Sequence, residues 1–128
     1  MLMYIELKTG YSDNGPAWIG RVQMSRAGRT VYFNGKAFKR GGRGSGGNHF
    51  DLETGEMYWI SSVKKRGLDR HWAGSGKITI EAAAVDEYLR IVSAHELDTS
   101  RFVVSDKILP ADASKFHEIE NQKLETDR

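Results

Sequence analysis

In the run Lys64-Lys65-Arg66-Gly67-Leu68-Asp69-Arg70-His71-Trp72, an imidazole lies two positions from a carboxylate that could orient it. With an unperturbed pKa of ~6.5, such a group can serve as general acid or base. Catalysis would also require a nucleophile, a second acid or a metal box, and none accompanies Asp69 and His71. A salt-bridge and hydrogen-bond network that locks the loop explains the same residues without any reaction. The cations offer a simpler chemistry. Lys64, Lys65, Arg66 and Arg70, joined by Arg40 and Arg43 from an earlier loop, form a basic rim suited to an anionic partner.

Other motifs carry less. Arg40-Gly41-Gly42-Arg43-Gly44-Ser45-Gly46-Gly47 could turn backbone N–H groups toward a phosphate or stack its arginines on bases. It reads equally as a flexible strand connector. Gly74-Ser75-Gly76-Lys77 fails as a phosphate-binding P-loop, because the first Gly of that pattern falls on His71 and Ile78 follows the lysine. Histidines 49, 71, 95 and 117 are too widely spaced for a local metal motif. Neither a metal nor a cofactor is expected.

These groups need a scaffold, and the sequence predicts one built from short strands. Tyr4-Ile5-Glu6-Leu7, Ala17 to Met24, Thr30 to Phe33 and Lys36 to Lys39 alternate with turn residues. Asn34-Gly35 is the preferred pair for a two-residue type I′ hairpin, since both positions need positive φ. A second hairpin joins His49-Phe50-Asp51-Leu52 to Met57 through Val63 around Gly55, and Lys77 to Ile80 reads as the last strand. Beyond it, Ala82, Val85, Leu89 and Val92 recur at helical spacing, predicting one amphipathic helix from Glu81 to about Leu97. The expected fold is α+β, a small curled antiparallel sheet or half-barrel capped by one C-terminal amphipathic helix, with an acidic tail. Trp18 and one of Tyr58 and Trp59 are expected in its core. Residues 1–97 then make a single domain, and residues 98–128 an acidic, partly helical extension containing the apolar segment Phe102-Val103-Val104.

The 128 residues suffice for one core and exclude large multi-domain enzymes. No apolar run spans a membrane, no basic leader precedes Met-Leu-Met-Tyr, and cysteine is absent, so a cytoplasmic setting is expected. The net charge of +2 conceals an asymmetry. Residues 1–80 carry 13 Lys/Arg against 6 Asp/Glu, whereas residues 81–128 carry 6 against 11. A basic body attracts nucleic acid or an acidic protein, although a merely solvated surface has the same composition.

The segments from Ala17 to Val22, Gly35 to Phe38 and Phe50 to Ser61, with Lys64-Lys65 and Asp69-Arg70, resemble a family of small bacterial proteins often labelled 1-deoxy-D-xylulose-5-phosphate synthase. The resemblance spans about residues 4 to 90, with Ser62 where the family pattern has Gly. That enzyme is a large thiamine-diphosphate protein, and this chain has neither its length nor its Gly-Asp-Gly…Asn-Asn type motif. The resemblance therefore implies no activity.

Three readings follow. The first is a small non-enzymatic binding module presenting its basic loop to nucleic acid or another anionic partner. The second is a protein-binding inhibitor or immunity-type protein that neutralises a toxin, a role compatible with a small, cysteine-free chain lacking catalytic motifs. The third is a hydrolase or transferase using Asp69 and His71. Composition leaves the oligomeric state open.

Overall fold

The computed structural model describes residues 1–8, 15–41, 46–66 and 76–114. Nine strands form one sheet: β1 (Leu2–Leu7), β2 (Ala17–Arg21), β3 (Gln23–Met24), β4 (Thr30–Phe33), β5 (Lys36–Arg40), β6 (His49–Asp51), β7 (Met57–Ser62), β8 (Ile78–Glu81) and β9 (Phe102–Ser105). Their order across the sheet is β3-β4-β5-β6-β7-β1-β2-β8-β9. Only Val22 separates β2 from β3, yet β2 pairs with β1 and β3 with β4. One bent strand thus touches both ends of the curl, and the sheet closes on itself as a half-barrel. At the closure, a Cβ on Gly20 would lie 2.4 Å from the Phe33 ring, so the small residue lets β2 and β4 approach.

The hairpins follow their turn chemistry. Asn34 and Gly35 have φ of 50° and 71°, which sets the β4–β5 register at Phe33 opposite Lys36. Gly55, at φ 76°, closes the β6–β7 turn. The Asp51 carboxylate stabilises that turn by accepting from the Glu53 and Thr54 N–H groups at 2.8 and 3.3 Å.

Inside the curl, Ile5, Val22, Val31, Phe33, Phe38, Tyr58 and Ile60 form one core, against which Trp18 packs. Of the two aromatics in β7, Tyr58 is the one turned into that core. On the other face, Leu2, Tyr4, Ile19, Ile78, Ile80 and Phe102 are covered by a helix. A third cluster of Tyr32, Ala37 and Leu52 lies on the outside of the β4–β6 hairpins, with Ala111 and Ala113 packed over it. There the Leu109 N–H donates to Asn34 Oδ1 at 3.0 Å.

Two expectations need correction. The sheet is mixed, because β8 runs parallel to β2 and β9 parallel to β8. Parallel neighbours are joined by long crossovers, which leave no tight-turn signal in sequence. The helix is not C-terminal: it is the crossover between β8 and β9. It is also shorter than Glu81 to Leu97, comprising a 3-10 turn, Ala82–Ala84, and α1, Val85–Val92. Ser93 ends it in the left-handed conformation (φ 57°, ψ 43°), with the Ala94 N–H donating to Leu89 C=O. Ala84 and Tyr88 are the fully buried positions, while Val85, Leu89 and Val92 flank them half-buried and Ala82 is exposed. Tyr88 is drawn to the centre by the Phe102 ring of β9, whose centroid lies 5.2 Å away.

Candidate functional site

The strand directions decide which loops share an end of the half-barrel. From β4 through β5, β6, β7, β1 and β2, every pairing is antiparallel. The start of β4, end of β5, start of β6, end of β7, start of β1 and end of β2 therefore lie together. At this end sit Arg21, Arg26, Arg29, Lys39, Arg40, Lys64, Lys65 and Arg66, all exposed. The Arg40 N–H donates to Arg29 C=O at 2.8 Å, tying the 26–29 turn to the end of β5. The sequence holds no carboxylate between Asp13 and Asp51, nor between Glu56 and Asp69, so the strand ends meeting here contribute none. Two acids reach the site from β8 and the helix. Glu81 accepts from the Arg21 N–H at 3.1 Å, and Glu87 lies 3.7 Å from Arg21 Nε.

The opposite end carries the acids. Glu6, Asp51, Glu53 and Glu56 lie where β1 and β6 finish and β7 begins, and the buried pair among them is matched internally. Glu6, 2% exposed, accepts from the Tyr4 hydroxyl and from Lys8 Nζ at 2.9 Å. Asp51, 1% exposed, accepts from Lys36 Nζ at 3.1 Å. Burial alone would raise the Asp51 carboxyl, but the donors from Glu53, Lys36 and Thr54 outweigh it and hold the group below its usual range.

Beneath the basic end lies a polar network. Asn48 precedes β6, and its carboxamide behaves as an extra peptide unit, with Nδ2 donating to Ile60 C=O and Oδ1 accepting from the Ile60 N–H, both at 2.8 Å. Because that pairing fixes the amide orientation, His49 Nδ1, 2.8 Å from Asn48 Oδ1, carries the hydrogen and donates. Burial, aided by the Arg40 guanidinium, lowers the His49 pKa to about 4, so the ring is neutral at pH 7. Burial likewise pushes the phenol of Tyr58, opposite His49 on β7, up to about 12, with Glu56 and Asp51 adding to the effect.

The structure brings Arg40 to the same end as Lys64, Lys65 and Arg66. Arg43, Asp69, Arg70 and His71 lie outside the described residues. Sequence reading missed Arg26, Arg29 and Lys39, although the Asn34-Gly35 turn contained the signal. Counting outward from Phe33 opposite Lys36 reaches Thr30 opposite Lys39, and then Arg29 beside Arg40. Among the described residues, no group of His, Asp and Glu is arranged to hold a metal ion. No helix of the described residues is long and apolar enough to cross a membrane. Compared with known proteins, the chain matches no family model, no curated protein and no solved structure.

Proposed function

We propose that this protein is a small binding module whose basic end engages a polyanion, with nucleic acid as the partner. The observation that carries this reading is the gathering of Arg26, Arg29, Lys39, Arg40, Lys64, Lys65 and Arg66, from three separate stretches of sequence, at one end of a half-barrel. A merely solvated surface would intersperse acids among these cations. Here the two acids that reach the basic end, Glu81 and Glu87, both engage Arg21, whereas Glu6, Asp51, Glu53 and Glu56 collect at the far end, two of them buried. Cations on strand ends and short turns are held in place by the sheet, and together they attract phosphates regardless of base sequence.

The test is retention of single- or double-stranded DNA as salt is varied. Because neutralised phosphates release counterions, log K should fall linearly with log salt by roughly 0.7 to 0.9 for each phosphate neutralised. Lys64→Ala with Lys65→Ala should flatten that slope by about one for each phosphate that no longer meets a cation, with the fold retained by circular dichroism. No retention of nucleic acid at low salt overturns the reading.

A further inference from the structure

The closed curl leaves the sheet with one substantial edge. β3 is two residues long and continues β2, whereas β9 runs along the outer side of β8 with no described residue pairing beyond it. Native edge strands are usually protected by proline, lysine, a bulge or an inward charge. Phe102-Val103-Val104-Ser105 has none of these, and Val103 and Val104 are 48% and 51% exposed on its two faces.

The phase of the hydrogen bonds shows what this edge offers. The Ile78 N–H donates to Arg101 C=O at 2.9 Å, and Ile78 is the register partner of Phe102. In a parallel ladder of that phase, Val103 turns its backbone groups toward β8, and Val104 turns both its N–H and its C=O outward. One residue presenting an outward donor and acceptor at the middle of an edge is self-complementary under two-fold rotation.

We infer that β9 pairs antiparallel with β9 of a second copy, Val104 facing its counterpart across a two-fold axis. In that register Val103 lies opposite Ser105 of the other copy and the exposed Val104 side chains meet at the axis, while Phe102, opposite Asp106, keeps its N–H on Asp98 C=O at 3.1 Å, so the pairing rests on the two bonds between the Val104 backbones. A four-residue edge buries far less than the roughly 1,200 to 2,000 Å² of a standard stable interface, so the dimer is weak and concentration-dependent. Antiparallel pairing points the two basic ends in opposite directions, so self-association and anion binding are separable.

Sedimentation of the full chain, from micromolar concentrations to about 1 mM, tests the inference, with a Kd on the order of 0.1 mM expected. Val104→Pro removes the outward N–H and leaves the bonds to β8, and it should weaken the dimer at least tenfold while circular dichroism is unchanged. Should proline disturb the fold, oxidised cysteine variants test the register independently. Val104→Cys should cross-link two copies readily, since facing Cα atoms of a hydrogen-bonded pair lie about 5.5 Å apart. Val103→Cys should not. A wild-type chain that stays monomeric throughout, or equal cross-linking at both positions, overturns the proposal.

Discussion

At the scale of single residues, Asn48 matters more than its place beside a glycine-rich loop suggests. Its carboxamide makes two bonds to the Ile60 backbone and holds the imidazole of His49. Asn48→Ala would leave an N–H and a C=O of β7 without their partners. It should cost about 2 to 3 kcal/mol in urea unfolding, more than an ordinary exposed substitution. His49 makes a pH-dependent claim. Its pKa is about 4 in the folded chain against an unperturbed 6.5, so the unfolded chain binds the extra proton between those values. Stability present above pH 6.5 is therefore lost as pH falls toward 4, by no more than about 3 kcal/mol. Asp51, held below its usual range, adds a further loss below the carboxylate range. In His49→Gln the decline between pH 6.5 and 4 should largely disappear; an unchanged decline would assign it to other groups. None of this was legible in advance, because burial of one histidine among four depends on which strand ends meet.

At the scale of elements, the sequence was readable wherever the information is local. Asn34-Gly35 and Gly55 specify hairpins with their nearest neighbours, and both turns form as their residue types require. The pairing of β8 with β2 brings together residues about 60 positions apart through parallel contacts that no turn encodes, and it was not readable. The helix shows both sides of this limit. Its apolar spacing announced it, but Ser93 is a rare left-handed terminator, and the buried line was set by Phe102 arriving from β9. The energetics should follow the observed line. Tyr88→Ala, which empties a buried site against Phe102, should cost about 3 to 5 kcal/mol. Leu89→Asp, at a half-buried flank, should cost clearly less. Thermal melts of the two variants decide, and the reverse order would mean that the helix faces the sheet differently.

At the scale of the whole molecule, a net charge of +2 conceals a chain that sorts its charges by strand direction. The sorting needs no long-range design. In an up-and-down sheet, every second connection falls at the same end, so a sequence that places its cations in alternate connections builds a basic end. The Lys64 to Arg66 part of that end was visible as a charge run; the contribution of the 26–29 turn emerged only once β4 and β5 were in register. Because the cations come from separate segments, substitutions in different segments should act alike if one polyanion spans them. Arg26→Ala with Arg29→Ala should flatten the salt dependence of DNA binding about as much as Lys64→Ala with Lys65→Ala, and the two pairs should add. Lys107→Ala removes an exposed cation of the segment that runs from β9 to the Asn34-Gly35 turn, outside the three stretches that build the basic end, and should leave the slope unchanged. Salt titrations of the wild type and these variants by fluorescence anisotropy give the comparison. A slope that depends on Lys64 and Lys65 alone would reduce the binding surface to the loop after β7, and a slope equally sensitive to Lys107 would mean that DNA responds to net charge rather than to this end of the fold.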